Sequence, residues 1–306
     1  MSRVVTVAGA IPPESLGITD AHNHVWIDPV PCIARNSPVL NQREEILAEL
    51  KKYVRAGGRT IIDCQPAGCG RNANELALLS KESGVNLVAC TGFHRRVYYS
   101  PGYWLWGAQV EEIARHFIEE VLTGMHETLK AQTPVKAGLI KIACEESLQK
   151  THRPALEAAA IAAVETGLAM EIHTEKGADV ENIARFFLER GVKAGQIVLC
   201  HIDKRPDPGL HFELAQAGIY LEYDTFYRPK YQPEKFLWNL IVQMVTAGLH
   251  KQVVLATDMA ESAMWVTPGL ANYPHSIRQQ LLEKDLGSEY VNDLMGMNIG
   301  RCLAQI

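Results

Sequence analysis

The stretch LAMEIHTEKGADVENIARFFLERGVKAGQIVLCH (residues 168–201) holds the pattern on which the fold turns. Residues 168–173 and 196–201 are short apolar runs, and each closes on a histidine, His173 and His201. Residues 178–190 between them set Val180, Ile183, Phe186 and Phe187 on one helical stripe, with Gly191 as a stop. Continuous apolar runs, rather than alternating ones, are what strands covered on both faces require, and parallel sheets supply that cover. Strand, helix and strand in this order make one βαβ unit.

The unit repeats in both directions. Further apolar, β-branched runs lie at 17–22, 59–63, 86–92, 138–142, 218–224 and 252–258, which makes eight with the first two. Residues 45–56 place Ile46, Leu47, Leu50, Tyr53 and Val54 on one stripe ahead of Gly57 and Gly58, and Pro154 opens an alanine-rich helix that ends at Gly167. Eight strands alternating with helices predict an α/β chain closed into a (β/α)₈ barrel, and 306 residues fit one such domain over 1–306. The interval between runs six and seven is the tightest, with about twenty residues for a helix and two loops.

Composition narrows the function. Charged residues make up 21% of the chain with a net charge of -5, and no segment interleaves Lys or Arg with aromatics, so no nucleic-acid partner is expected. No apolar run reaches the length of a membrane span, and the first residues lack the basic and apolar regions of a signal peptide. The seven cysteines (32, 64, 69, 90, 144, 200, 302) are odd in number, and Cys64, Cys90, Cys144 and Cys200 sit inside apolar runs. That usage predicts free thiols and a cytoplasmic protein.

The strand ends carry groups that an apolar strand has no packing reason to hold. Run one ends Asp20-Ala-His22-Asn-His24, and in an extended chain i and i+2 share a side. Lys141 lies within Gly138-Leu-Ile-Lys-Ile-Ala, run five ends in His173, run six in His201 and run eight in Asp258. Taken singly, a strand-end histidine is more often a satisfied core residue than a ligand. Six such groups at five strand ends, on the rim where barrels of this type place their active sites, predict one metal site instead. Four neutral imidazoles and one carboxylate under-neutralise two divalent cations, and a free ammonium would add repulsion. A carbamate on Lys141 would turn it into an anionic, two-oxygen ligand able to bridge both ions.

With these residues in place, the chain resembles the phosphotriesterase family of the amidohydrolase superfamily from end to end. The stretch 7–24 is similar to the family's start, where a short β-hairpin precedes the His-x-His strand, and all six metal ligands have a match. The resemblance implies that His22, His24 and Asp258 hold a more buried ion and His173 and His201 a more exposed one, with N6-carboxylysine at Lys141 between them. It implies two divalent ions (Zn²⁺ first, Mn²⁺ or Co²⁺ as alternatives), a hydroxide nucleophile that Asp258 orients and deprotonates, a small-molecule substrate and a homodimer. The family covers organophosphate triesterases, lactonases and enzymes for phosphorylated sugar lactones. The segments His201-Ile-Asp-Lys-Arg-Pro-Asp-Pro and Tyr223-Asp-Thr-Phe-Tyr-Arg-Pro-Lys230 resemble the last branch, and Lys230 matches its phosphate-binding lysine.

The loop after run eight departs from that branch. Glu261 stands where the branch has an arginine and Met264 where it has a tyrosine. A carboxylate there repels a phosphate, so a neutral lactone, or a polar one that donates hydrogen bonds to Glu261, is the expected substrate. Arg228 and Lys230 are read two ways, as binders of a substrate carboxylate or as partners of Glu261. His94 is likewise read as a substrate contact or as a hydrogen-bonder to a ligand. Tyr98, Tyr99, Tyr103, Trp104 and Trp106 are read as an apolar wall or a subunit contact, and Cys69 as a loop residue near the mouth. His116, His126, His211, His250 and His275 are expected at the surface. The leading expectation is a lactonase. Its rivals are a phosphotriesterase or amide hydrolase with the same metals, and a non-catalytic barrel that binds metal and ligand.

Overall fold

The computed structural model describes residues 2–34 and 37–304. The chain opens with an antiparallel hairpin, β1 (Val4–Thr6) and β2 (Gly9–Ile11). Strands and helices then alternate, the strands being β3 (Ile18–Asn23), β4 (Gly58–Asp63), β5 (Asn86–Gly92), β6 (Leu139–Ala143), β7 (Met170–His173), β8 (Ile197–Cys200), β9 (Tyr220–Tyr223) and β10 (Val253–Leu255). Each pairs in parallel with the next in sequence, from β3 to β10. The two edges then meet. The Asp258 N–H donates to the His22 carbonyl at 2.9 Å, and the Thr257 N–H donates to the Asp20 carboxylate at 3.0 Å. The architecture is a nearly closed (β/α)₈ barrel with an N-terminal hairpin. No helix among the described residues is long and apolar enough to cross a membrane.

Each apolar run of the sequence overlaps one barrel strand, but the last three runs extend past the ends of theirs. β8 stops at Cys200 and β10 at Leu255, so His201 and Asp258 lie in the loops beyond. Both have left-handed backbones, φ 65° and 49°, which turn the chain out of the sheet at those positions. A non-glycine residue held there costs about 1–2 kcal/mol, and such strain collects at functional sites. The tight interval after β8 is solved by one 3₁₀ turn, Ile202–Lys204, and a nine-residue helix, Pro208–Gln216. Asp207 caps that helix by accepting from the Leu210 N–H at 3.3 Å.

The barrel interior reads in steps of two along the strands, because alternate side chains of a strand share a face. Ile62, Val88, Leu139, Ala169, Val198, Tyr220 and Val254 form an apolar floor, joined from below by Val4, Leu16, Ile299, Cys302 and Leu303. Two residues further along come Cys64, Cys90, Lys141, Glu171, Cys200 and Glu222, all fully buried. One more step brings His173, Asp224 and Asp258 to the mouth. Residues of the other parity, such as Ile61, Leu87, Ile140, Ile172, Leu199 and Leu221, face outward into the core beneath the helices.

Two fixtures steady the mouth. At the seam, Asp20 accepts from Asn23 at 2.8 Å and from the Thr257 hydroxyl at 2.5 Å, next in sequence to His22 and to Asp258 respectively. The loop after β4, which carries Gln65 and Cys69, ends at buried Arg71. Its guanidinium bonds Glu120 of the helix Val110–Leu122, Glu127, and the Cys90 carbonyl at 2.9 Å. Burial alone would raise the Glu120 carboxyl, but the charge and hydrogen bonds of Arg71 override it and hold the group at about 2.

A Cβ at Gly92 would lie 1.9 Å from the Lys141 carbonyl oxygen, on a backbone with φ 116°. Gly92→Ala is expected to destabilise the fold by about 3 kcal/mol in urea unfolding, since neither β5 nor β6 has room to move. The Arg71–Glu120 pair makes stability depend on pH. Because the folded Glu120 pKa lies below its ordinary value, the contribution is present above about pH 4.5 and is lost as pH falls toward 2. Glu120→Gln should flatten the unfolding free energy over that window relative to wild type.

Candidate metal centre

The four predicted histidines converge at the mouth, and each has one ring nitrogen tied to an acceptor. His22 Nδ1 lies 2.9 and 3.0 Å from the two oxygens of Glu222. His24 Nδ1 lies 2.7 Å from Gln65 Oε1, and His173 Nε2 lies 3.2 Å from Glu175 Oε1. His201 Nδ1 is hydrogen-bonded to Asp224. Each tie sets an acceptor oxygen against that nitrogen, which places the N–H there and leaves the other nitrogen bare. His22 Nε2 and His24 Nε2 lie 3.8 and 3.6 Å from Asp258 Oδ1. His173 Nδ1 and His201 Nε2 face each other at 2.9 Å. Burial pushes the His22, His173 and His201 imidazoles below their ordinary pKa, toward the neutral form that a ligand needs.

Two bare nitrogens at that distance repel unless positive charge lies between them, and the lowered pKa values make a proton a poor occupant. Donor atoms of His22, His24 and Asp258 lie within 4.8 Å of one another, as do those of His201, Asp224 and Asp258. Asp258 is common to both groups. The Lys141 ammonium sits beside them, 3.2 Å from His22 Nε2, 3.4 Å from Cys200 Sγ and 3.7 Å from Glu171 Oε2. Among the described residues, the buried oxygens Asp224 Oδ1 and Glu171 Oε1 have no hydrogen-bond partner. Imidazole nitrogens and carboxylate oxygens so arranged suit two divalent cations.

The sequence reading missed the residues that support this set. Glu171, Glu222 and Asp224 are fully buried around Lys141 and the histidines. They add three carboxyl groups to the surroundings of the expected ligands. Burial pushes Glu171 and Glu222 up to about 8 against the pull of Lys141, and Glu171 is the one 3.7 Å from its ammonium. The signal was present, since Glu171 and Glu222 are charged residues inside apolar runs, as Lys141 is. Gln65, Glu175 and Asp20 left no such mark, because loop and strand-end polar residues are ordinary.

The sequence model of the phosphotriesterase family matches residues 2–297. The chain belongs to the phosphotriesterase family. It is 30% identical over 265 residues to a phospho-furanose lactonase of Mycoplasmopsis synoviae, covering 83% of this chain and 75% of that one. It is 26% identical to an N-acetyltaurine hydrolase of Salmo salar over 98% of this chain and 97% of the other. A lactonase structure from Listeria monocytogenes superposes with a TM-score of 0.88 at 23% identity, over 99% of each chain, a likeness that speaks for the fold.

In this family member the cavity above the histidines offers about 190 Å³ of free space. Ile27, Val30, Ile33, Pro38, Tyr98 and Met264 form its apolar wall, and Ser37, Gln65, His94, Arg228 and Glu261 are polar residues that line it beyond the centre. His94 Nδ1 accepts from the Arg95 N–H at 2.7 Å, which leaves Nε2–H as a donor. Arg228 does not hydrogen-bond Glu261. It donates to the Asp258 carbonyl at 2.5 Å and to Asp258 Oδ2 at 2.7 Å. Lys230 is exposed, does not line the cavity, and holds its ammonium 5.1 Å from the Tyr231 ring centre. Tyr99, Tyr103 and Trp106 stack on one another rather than on the cavity, while Cys69 does reach its wall. His126 and His275 are exposed as expected and His116 is half-buried. His211 and His250 are corrections. Both are buried, the first bonded to the Tyr223 hydroxyl at 2.7 Å and the second to Asp293 at 3.2 Å.

Proposed function

We propose that the protein is a divalent-metal hydrolase that opens a small, uncharged, hydroxylated lactone. The facing bare nitrogens of His173 and His201 at 2.9 Å carry the metal part of this reading. His22, His24 and Asp258 would hold one ion, His173 and His201 the other, with Lys141 between them as the carbamate. Bound there, such ions would supply hydroxide at neutral pH and polarise a carbonyl. Asp258 has Oδ1 toward His22 and His24, where it would face the ion, and Oδ2 held by Arg228. His94 Nε2–H would steady the substrate's ring or carbonyl oxygen from the cavity wall.

The cavity chemistry supports the uncharged substrate. Arg228 turns its Nη2 to Asp258, Lys230 lies outside, and Glu261 places a carboxylate at the rim. A phosphate at the rim would meet that carboxylate, whereas hydroxyls would donate to it. The limited volume favours a single small ring. An amide substrate is the second reading, supported by the N-acetyltaurine hydrolase relative, whose match spans 98% of this chain.

Metal-loaded protein incubated with unphosphorylated sugar lactones, their phosphorylated forms, N-acyl amines and paraoxon should open the unphosphorylated lactones fastest, read as acid release. Faster turnover of paraoxon, or of the phosphorylated lactones, would overturn the substrate reading. Asp258→Asn should retain the fold by circular dichroism and lose about 10²–10⁴-fold in kcat. Full activity in that variant would remove Asp258 from the mechanism.

A further inference from the structure

The polar layer inside the barrel contains one carboxylate whose geometry singles out its partner. Glu222 lies on β9, where its backbone pairs with Val254 of β10 and its side chain is fully buried. Both of its oxygens lie within 3.0 Å of His22 Nδ1. His22 itself is 1% exposed, so no water competes for that nitrogen. The Lys141 Nζ stands 3.3 Å from Nδ1 and 3.2 Å from Nε2. An N–H already donated to Glu222 cannot accept from the ammonium, so the ammonium meets the lone pair on Nε2, where a cation belongs.

We propose that Glu222 is a positioning residue of the metal centre, which holds His22 in the Nδ1–H tautomer and turns its Nε2 toward the ions. The inference rests on the metal-centre reading above and adds a residue to it. The acceptors of His24 and His173 are loop side chains, Gln65 and Glu175. Glu222 is built into a paired strand, separated from that of His22 by β10, so it fixes that ring against a rigid frame. It also lies 3.7 Å from His201 Nδ1, between one histidine of each candidate ligand group. Without an acceptor, a neutral imidazole divides between two tautomers and two ring flips, and part of the population presents N–H to the metal.

Glu222→Gln retains an acceptor oxygen, whereas Glu222→Met removes it at similar length. Long-range ¹H–¹⁵N spectra of metal-free, histidine-labelled protein, with His22 assigned through His22→Ala, report the tautomer. Competition against a chelator reports the affinity of each ion. Wild type and Glu222→Gln should show Nδ1–H at His22. Glu222→Met should lose that signature and weaken one Zn²⁺ by about 10–100-fold, leaving the second in place. Nδ1–H retained in the Met variant with both ions unchanged would overturn the proposal, as would equal loss of affinity in the Gln and Met variants. If wild type takes up no divalent ion, the metal-centre reading fails, and the His22 tautomer still decides the role of Glu222. If Glu222→Met does not fold, the wild-type tautomer decides alone, and Nε2–H at His22 overturns the proposal.

Discussion

The seam between the first and last barrel strands is the constraint on which the site depends. Thr257 and Asp20 are 237 positions apart in sequence, yet their hydrogen bonds, with that from the Asp258 N–H to the His22 carbonyl, close the sheet. Only when these edges meet do His22 and His24 share a space with Asp258. The donors at the seam are backbone groups and one hydroxyl, and they are buried. Losing the acceptor would leave them unsatisfied, which costs about 1–3 kcal/mol for each group. Closure and site geometry are therefore maintained by the same bonds.

Above the apolar floor, the barrel buries Lys141, Glu171 and Glu222 together. Isolated charges at such depth are not tolerated, so each must have a partner or give up its charge. Here the ammonium stands against Glu171, Glu222 accepts from His22, and Cys64 donates to Glu171 at 2.7 Å. The polar layer passes order upward. His22 is held from below by Glu222, His24 from the side by Gln65, and His173 and His201 from the loops by Glu175 and Asp224. The bare nitrogens that remain all point inward, which is the property a cation site needs before any cation arrives.

The rim of the cavity differs in character from the layer below it. Glu261 and Met264 line the cavity in place of the arginine and tyrosine found in the resembled phosphate-binding branch, and Arg228 is turned to Asp258. On the proposed reading, the loops after β9 and β10 carry the side chains that would meet a substrate. Loops built on a rigid barrel are where such changes occur at least cost to the fold.

Much of this was legible in the chain itself. Continuous apolar runs at βαβ spacing determined the barrel, and polar groups at the run ends determined the six candidate ligands, because periodicity and burial preference are local properties. Glu171 and Glu222 carried the same mark as Lys141. The tertiary structure alone decided which acceptor ties which imidazole, that Arg228 joins Asp258 rather than Glu261, that Lys230 lies outside the cavity, and that His211 and His250 are buried. Those facts depend on distances between strands and loops far apart in sequence, and no local pattern encodes a distance until the sheet has closed.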